Sequence, residues 1–216
     1  MSVRKQIQES NGIYFITFTC ARWMNLFDIC QSHGVVYNWF DYLKSQGHYI
    51  VGYVIMPNHV HAIIGFANTG ALINKTVGNG KRFMAYEIIR MLQLQKNEEI
   101  LYHLSSFINN TDKKRGKQHE VFEPSFDWKE CYSIEMIRQK LEYIHANPCR
   151  GSWSLAECPI DYAHSSAKFY LTGSQGVYEV TSYADLSDID LTKLREVVTK
   201  TVTKAAESQG GDSAKK

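Results

Sequence analysis

Several features are scarce or missing in these 216 residues, and each absence narrows what the protein can be. No run of about 18 apolar residues exists to span a bilayer, and the polar segment 1–11 has no apolar signal core. The net charge of +2 is too small to indicate nucleic-acid binding by itself. An odd number of cysteines without a C-x-x-C pair favours neither a disulfide framework nor a zinc ribbon. We therefore expect a cytoplasmic protein with reduced thiols at Cys20, Cys30, Cys131, Cys149 and Cys158.

The hydrophobic content of 44% and charged content of 21% fit one globular domain with a tail, or one domain with a large insertion. Residue patterns then predict the elements of that domain. Their order indicates an α+β fold, in which a mainly antiparallel sheet carries its helices on one face. The predicted elements are a central strand at 13–19, a helix at 32–46, hairpin strands at 49–56 and 59–66, a helix from 78 to about 101, an exposed loop at 109–119, an edge strand within 121–128 broken at Pro124, a helix from Ser133 to Pro148, and irregular segments over 149–184.

Two histidines stand out in the second hairpin strand. His59 and His61 are two residues apart, so their side chains leave the sheet on the same side. Imidazoles held together on a rigid strand are suited to binding a divalent metal ion. The alternative is that both are half-buried polar residues with ordinary hydrogen-bond partners.

The last predicted core helix has a polar flank. An aliphatic stripe would dock it, whereas Tyr143 and Asn147 lie four residues apart on its side, next to Lys140. The alternative is that Tyr143 is a boundary residue that packs its ring. His145 points nearer to the stripe, which favours a structural hydrogen bond over catalysis. The stripe consists of Ile134, Ile137, Leu141 and Ile144.

Basic residues are concentrated in two places and could contact the phosphates of a nucleic acid. The alternative is that they are only solvated. Trp128 and Tyr132 could stack on bases. The basic candidates are Lys81 and Arg82 at the predicted second helix, and Lys113, Lys114, Arg115 and Lys117 in the loop. Lys140 of the last helix is a further DNA-binding candidate, because it could steady the phosphate.

The pattern M-P-N-H-V-H-A at 56–62, followed by E-Y-I-H-A-N-P at 142–148, resembles the single-tyrosine HUH transposases. The branch associated with repetitive extragenic palindromes is the most similar, also through S-S-A-K-F-Y at 165–170. The resemblance covers about residues 10–173. It divides the chain into a catalytic domain at 1–173 and a C-terminal extension at 174–216, partly helical with a polar, mobile tail.

The resemblance implies a ferredoxin-like sheet and a role for each matched residue. His59, His61 and Asn147 would hold Mg²⁺ or Mn²⁺, and Tyr143 would be the nucleophile. The implied activity is cleavage and rejoining of single-stranded DNA at hairpin-forming ends through a 5′-phosphotyrosine. The implied partners are single-stranded or hairpin DNA and a second copy in a homodimer, where the tyrosine helix serves its own chain or the neighbour. The run Cys149-Arg150-Gly151-Ser152 departs from the family's usual residues, which leaves the DNA target open.

Two other kinds of function stay open at this point. The first is a non-catalytic, structure-specific nucleic-acid-binding protein on the same scaffold. The second is a zinc hydrolase built on His59 and His61, which would need another His, Asp or Glu ligand. The separation of Tyr143 from the two histidines within one chain distinguishes these readings best.

Overall fold

Four strands form one antiparallel sheet, and the computed structural model describes residues 6–151 and 153–195. β1 lies between β3 and β4, which confirms its predicted central position, and the sheet order is β2-β3-β1-β4. With a crossover helix after β1 and another after β3, this is a ferredoxin-like arrangement. The strands are β1 (Gly12–Thr19), β2 (Tyr49–Met56), β3 (His59–Phe66) and β4 (Asp127–Glu130).

Eight α-helices accompany the sheet in the described part of the chain. They are α1 (Leu26–Ile29), α2 (His33–Ser45), α3 (Ile73–Leu94), α4 (Glu98–Ser106), α5 (Asn110–Lys114), α6 (Ile134–Ala146), α7 (Ala167–Thr172) and α8 (Tyr183–Ser187). Short 3₁₀ turns occupy Ala21–Trp23, Asn147–Cys149 and Pro159–Asp161.

The two crossover helices, α2 and α3, cover one face of the sheet. Their apolar residues share a core with alternate strand residues such as Ile16, Val60 and Tyr53. The absence of a side chain at Gly80 of α3 allows the two helices to approach closely. A Cβ atom at that position would collide with the Trp39 indole of α2. The glycines at the predicted helix start therefore lie inside α3, which begins earlier than the predicted residue 78.

Helix α6 packs against the opposite face of the sheet. Ile137, Leu141 and Ile144 are buried there with Val54 and other residues of β2 and β3, whereas the predicted stripe member Ile134 is 43% exposed. The α+β class and antiparallel sheet are confirmed. The helices nevertheless cover both faces instead of one, because the α6 stripe docks on the face that the crossover helices leave open.

The outer edge of β2 is covered by an irregular segment, 164–166. The Ile55 amide donates to the His164 carbonyl at 2.9 Å, and the Ser166 amide donates to the Tyr53 carbonyl at 3.0 Å. The chain then returns over both faces, because Tyr178 and Val180 join the α2 core while Leu186 joins the α6 core. The predicted domain division at residue 173 stays a prediction, and the predicted tail within 196–216 lies outside the described residues.

Four predicted elements differ from the structure. The stretch 149–184, predicted to be irregular, contains α7 and the start of α8. The second helix is interrupted after Leu94, because Lys96 adopts a positive φ of 54° and the Asn97 side chain caps a new helix. The predicted loop at 109–119 contains α5, capped by Asn109. The predicted strand at 121–123 makes only a single bridge, Cys20 to Phe122.

Two absences predicted from the sequence can be compared with the structure. All five cysteines lie within the described residues and are unpaired thiols. Across 6–151 and 153–195, no helix combines the length and apolar character that crossing a membrane requires.

Candidate paired-histidine and tyrosine site

His59 and His61 form the centre of the candidate site. Their ring centroids are 4.7 Å apart, as expected for neighbours on one side of a strand. Both residues are only 6% exposed. The register between β1 and β3 sets Thr19 opposite His59 and Thr17 opposite His61, so β1 supplies the neighbouring side chains on this face.

The His59 ring is oriented by Asn58, the second residue of the hairpin turn. The Asn58 Nδ2 donates to the Trp23 carbonyl at 3.1 Å, so its Oδ1 faces His59 Nδ1 at 2.7 Å. Since an amide oxygen only accepts, Nδ1 of His59 must carry the proton. The other nitrogen, Nε2, then has its lone pair available to a ligand.

The His61 ring is held from β1. Its Nδ1 lies 2.6 Å from the Thr17 hydroxyl, and its ring stacks on Phe15 with centroids 5.3 Å apart. A hydroxyl both donates and accepts, so this contact fixes the ring orientation but not the tautomer. The arrangement of a ring nitrogen bonded to an outer polar group is typical of metal-binding histidines.

Burial keeps both imidazoles neutral at physiological pH. Burial lowers the pKa of His59 to about 4. Burial, followed by the nearby His59 and Lys140, lowers the pKa of His61 to about 3. Because a metal ion binds the neutral ring, these shifts favour metal binding over protonation.

Tyr143 of α6 lies beside the histidines within the same chain. Its ring centroid is 5.3 Å from that of His61 and 6.0 Å from that of Phe15. The side chain is 47% exposed, so its hydroxyl can reach a ligand from solvent. The Lys140 ammonium lies over the Phe15 and Tyr143 rings, at 5.0 and 5.9 Å from their centroids. A positive charge therefore stands next to the phenol.

Asn147 closes the C-terminal end of α6, one turn after Tyr143, and is half-buried. If its carboxamide oxygen faced the two neutral imidazoles, the three groups would make a mixed donor set that suits a divalent ion such as Mn²⁺ or Mg²⁺. Among the described residues, no cluster of three or more His, Cys, Asp or Glu side chains is arranged to hold a metal. The zinc-hydrolase reading therefore gains no third ligand of those types in this part of the chain.

Two tryptophans flank His59. The ring centroids of Trp23 and Trp153 each lie 6.1 Å from that of His59. Trp23 is 64% exposed. Arg22 and Trp23 have φ values of 52° and 60°, a left-handed backbone that costs bulky residues about 1–2 kcal/mol each. This backbone is held by the Asn58 side chain and by Glu123 Oε1, which accepts from the Arg22 amide at 3.0 Å.

His145 is a structural residue, as the helix geometry predicted. It is buried, and its Nε2 lies 2.9 Å from the Ser166 hydroxyl. Ser166 also accepts from the Tyr53 amide at 2.9 Å. His145 thereby ties α6 to β2 and to the segment that covers the edge of β2.

Several of the basic candidates line a groove of about 910 Å³ between α3 and residues 115–128. Arg82, Arg115 and Lys117 line it, while Lys113 and Lys114 lie at the exposed end of α5. The side chain of Arg115 is 77% exposed, whereas Lys117 pairs with Glu120 at 2.6 Å.

Lys81 has a different role from the one predicted. It is 8% exposed, and its ammonium donates to the carbonyls of Glu123 and Ser125 at 2.7 and 2.8 Å. These bonds tie the segment around Pro124 to α3. Contrary to the prediction, Lys81 is not placed to contact DNA, because its ammonium is buried and bonds two backbone carbonyls.

The sequence pattern missed the residues that support the site. The pair Pro57-Asn58 between the two hairpin strands predicts only a tight turn, although the place of Asn58 beside His59 is a signal. Thr17 and Phe15 follow from the register of β1 against β3, which the sequence does not specify. Trp23 and Trp153 carry no local signal, since each reaches His59 through an irregular segment.

The ferredoxin-like sheet with two paired histidines and a nearby tyrosine can be compared with known proteins. No protein-family model and no curated protein sequence matches the chain. A solved structure of a REP-associated tyrosine transposase bound to a REP hairpin is similar, with a TM-score of 0.57, 15% identity, and coverage of 89% of this chain and 98% of that one. This similarity shows that the chain has the fold of a tyrosine transposase.

A second solved structure is a protein of Deinococcus radiodurans R1 provisionally described as a transposase. It has 18% identity and a TM-score of 0.37, and the match covers 65% of this chain and 95% of that one. At that score it adds no argument about this chain.

Proposed function

We propose that this protein is a metal-dependent, single-stranded DNA transesterase of the HUH tyrosine transposase type. The observation that carries the proposal is the 5.3 Å separation of the Tyr143 and His61 rings within one chain. A nucleophile and a paired-histidine metal site must share one phosphate, and this separation allows it. The site is therefore assigned to residues of a single subunit.

The reaction begins with attack by the Tyr143 hydroxyl on a DNA phosphorus. The bond from phosphorus to the tyrosine oxygen forms as the bond to the 3′ oxygen breaks. The phenol loses its proton and the leaving 3′ oxygen gains one, which yields a 5′-phosphotyrosine and a free 3′-hydroxyl. A second 3′-hydroxyl reverses the step and joins strands without ATP, because the phosphotyrosine bond retains the energy of the broken phosphodiester.

Three residues would hold the metal ion: His59, His61 and Asn147. A divalent ion bound there supplies positive charge to the non-bridging phosphate oxygens as negative charge develops. The chain itself orients the two imidazoles through Asn58 and Thr17. The Lys140 ammonium, 5.9 Å from the centroid of the Tyr143 ring, would attract the negatively charged phosphate.

The proposed substrate is DNA that folds into a hairpin with a single-stranded flank. The structural neighbour was determined bound to a REP hairpin, which supports this choice. The groove lined by Arg82 and Arg115 offers a basic surface for the phosphate backbone. An exposed tyrosine adjacent to the histidines suits a strand that is not paired.

The test is covalent capture of DNA by the purified protein with Mn²⁺ and a pool of stem-loop oligonucleotides. We expect an adduct that survives denaturing electrophoresis, and Tyr143→Phe should abolish it while the fold is retained. Tyr102→Phe, at a tyrosine that is 71% exposed, is the matched control and should leave the adduct unchanged. An adduct that persists in Tyr143→Phe would show that the assigned nucleophile is wrong.

The basic groove favours one competing function, a binding protein that uses the scaffold without cleaving DNA. That function predicts tight binding of the stem-loop by the wild-type protein, no adduct with either Mn²⁺ or Mg²⁺, and no effect of Tyr143→Phe. The same experiment therefore decides between the two functions.

A further inference from the structure

Trp23 is an exposed aromatic side chain at the edge of the candidate site. Its indole is 64% exposed, although its ring centroid lies only 6.1 Å from that of His59. Burial does not explain its position, since Trp39, the tryptophan of the core, is 4% exposed. An exposed indole next to a reactive centre offers a flat apolar face to whatever enters the site.

The backbone fixes this indole in place at a cost. Arg22 and Trp23 both have a left-handed backbone, with φ values of 52° and 60°. Bulky residues rarely adopt that conformation unless their surroundings impose it. Here the Asn58 amide bonds the Trp23 carbonyl at 3.1 Å, and Glu123 bonds the Arg22 amide at 3.0 Å. These two hydrogen bonds hold the strained backbone, and this backbone keeps the Trp23 ring exposed beside His59.

One side chain links the indole to the metal site. Asn58 bonds the Trp23 carbonyl through its nitrogen and His59 Nδ1 through its oxygen. The position of the ring is thus coupled to the orientation of His59. Trp153 adds a second aromatic ring at the same centroid distance from His59.

We propose that Trp23 is a stacking platform for an unpaired nucleobase next to the phosphate held at His59 and His61. The identity of the ligand rests on the proposed function, while the position of the ring does not. Every base has a π-face, so an indole platform grips single-stranded DNA without reading its sequence. Phe15 is less suited to this role, because its ring already contacts His61, Tyr143 and the Lys140 ammonium.

The test measures DNA binding in the Tyr143→Phe background, which prevents turnover. The probes are a stem-loop with a single-stranded extension of random sequence and the same stem-loop with an abasic extension. Trp23→Ala should weaken binding of the first probe about 5- to 100-fold and leave binding of the second unchanged. Trp23→Phe should recover part of the loss, and Tyr102→Ala, at a residue 71% exposed on α4, should bind both probes normally.

A second measurement does not depend on the alanine variant. The fluorescence quenching caused by the base-bearing probe should shrink in Trp23→Phe, and the abasic probe should produce no such difference. The proposal is overturned if Trp23→Ala binds both probes as tightly as the Tyr143→Phe parent does. It is also overturned if the substitution lowers the affinity for both probes by the same factor. Equal loss would mean that the residue supports the loop or binds a protein surface instead of a base.

The outcome is separable from that of the proposed function. If wild-type protein forms no adduct but the base-dependent loss at Trp23 is seen, the transesterase fails and the platform stands. If the adduct forms and Trp23→Ala shows no base-dependent loss, the platform fails and the transesterase stands.

Discussion

Asn58 connects three parts of the molecule through one side chain. It occupies the turn between β2 and β3, orients His59 through a 2.7 Å hydrogen bond, and holds the Trp23 carbonyl at 3.1 Å. Outer residues of this kind set the tautomer of a metal-binding histidine and raise its affinity for the ion. At the scale of single residues, the quality of the site therefore depends on a residue that need not touch the substrate.

Asn58→Ala should reduce the affinity for Mn²⁺ by about 10- to 100-fold, because the His59 ring loses the bond that keeps Nε2 unprotonated. Titration of Mn²⁺ by calorimetry measures this directly. Asn97→Ala is the control. It removes the cap of α4, which lowers the free energy of unfolding by about 1 kcal/mol at a place away from the site. Equal Mn²⁺ affinity in the Asn58 and Asn97 variants would contradict the role of Asn58.

His48 should make the protein less stable in acid. The ring is 5% exposed, its Nδ1 accepts from the Ala67 amide at 3.2 Å, and burial followed by the charge of Arg195 lowers its pKa to about 4. Between pH 6.5 and about 4 the unfolded chain binds a proton at this ring and the folded chain does not. The free energy of unfolding therefore falls as pH falls through that window, by up to about 1.4 kcal/mol per pH unit.

The prediction for His48 is tested by His48→Asn, which keeps an acceptor for the Ala67 amide and cannot be protonated. Urea unfolding at about pH 8, where the histidine is neutral in both states, gives the cost of the substitution itself. Relative to that reference, the variant should lose less stability than the wild type at about pH 5. Parallel stability curves for the two proteins would refute this account.

At the scale of secondary-structure elements, the site depends on how closely α6 approaches the sheet. A Cβ atom at Gly52 of β2 would lie 2.5 Å from Leu141 Cδ2 and 3.4 Å from Ile144 Cδ1. Glycine is therefore required for close contact, and not for a special backbone angle. Since Tyr143 lies between these two helix residues in sequence, the depth of docking sets the position of the phenol.

Gly52→Ala should push α6 outward. We expect a loss of about 1–3 kcal/mol in the free energy of unfolding and a slower formation of the DNA adduct, measured at temperatures where the variant is folded. Gly34→Ala is the matched control, because open space surrounds that position in α2. The control should be neutral or stabilising by up to about 1 kcal/mol. Adduct formation at the wild-type rate in folded Gly52→Ala would contradict the link between docking and chemistry.

The sequence predicts those parts of the fold that depend on local patterns. The hairpin strands fall at 49–56 and 59–66 as predicted, because the turn residues and the β-rich runs are adjacent. The shared side of His59 and His61 follows from the period of a strand. The bond from Asn58 to Trp23 could not be predicted, since it joins residues 35 positions apart through an irregular loop.

The predicted helix boundaries are wrong where tertiary packing determines them. The second helix is predicted to start at Gly78, yet α3 starts at Ile73, and Gly80 lies inside it where the Trp39 indole occupies the space of a side chain. The docking of α6 on the second face likewise depends on Gly52. The sequence does not show why a glycine is needed there, because the close contact appears only when β2 and α6 are packed together.

At the scale of the whole molecule, the histidine pair and the basic groove belong to different faces of the sheet. His59 and His61 share the face of α6, whereas the groove lies along α3, whose core residues pack on the other face. Two such surfaces would contact different parts of one DNA molecule. Contacts in the groove are expected to be with the phosphate backbone, and they should depend on salt.

Replacing Arg82 and Arg115 with Gln should lower the slope of log affinity against log salt for a DNA stem-loop. Each lost phosphate contact removes about 0.9 from the slope for duplex DNA and about 0.7 for a single strand. Lys168 and Lys193, both exposed, are the matched control pair, because they lie in α7 and the C-terminal segment and not in the groove. An unchanged slope in the arginine variant would remove the groove from the DNA interface.

The segment 164–166 has a further consequence for the behaviour of the protein in concentrated solution. A bare outermost strand offers a row of unsatisfied amides and carbonyls, which can recruit strands from other molecules and start aggregation. Here the outer edge of β2 is covered by segment 164–166, through the backbone hydrogen bonds that the Ile55 and Ser166 amides donate. The opposite rim is formed by β4, which is only four residues long. Neither edge of the sheet therefore offers a long exposed strand, which limits aggregation by strand pairing between molecules.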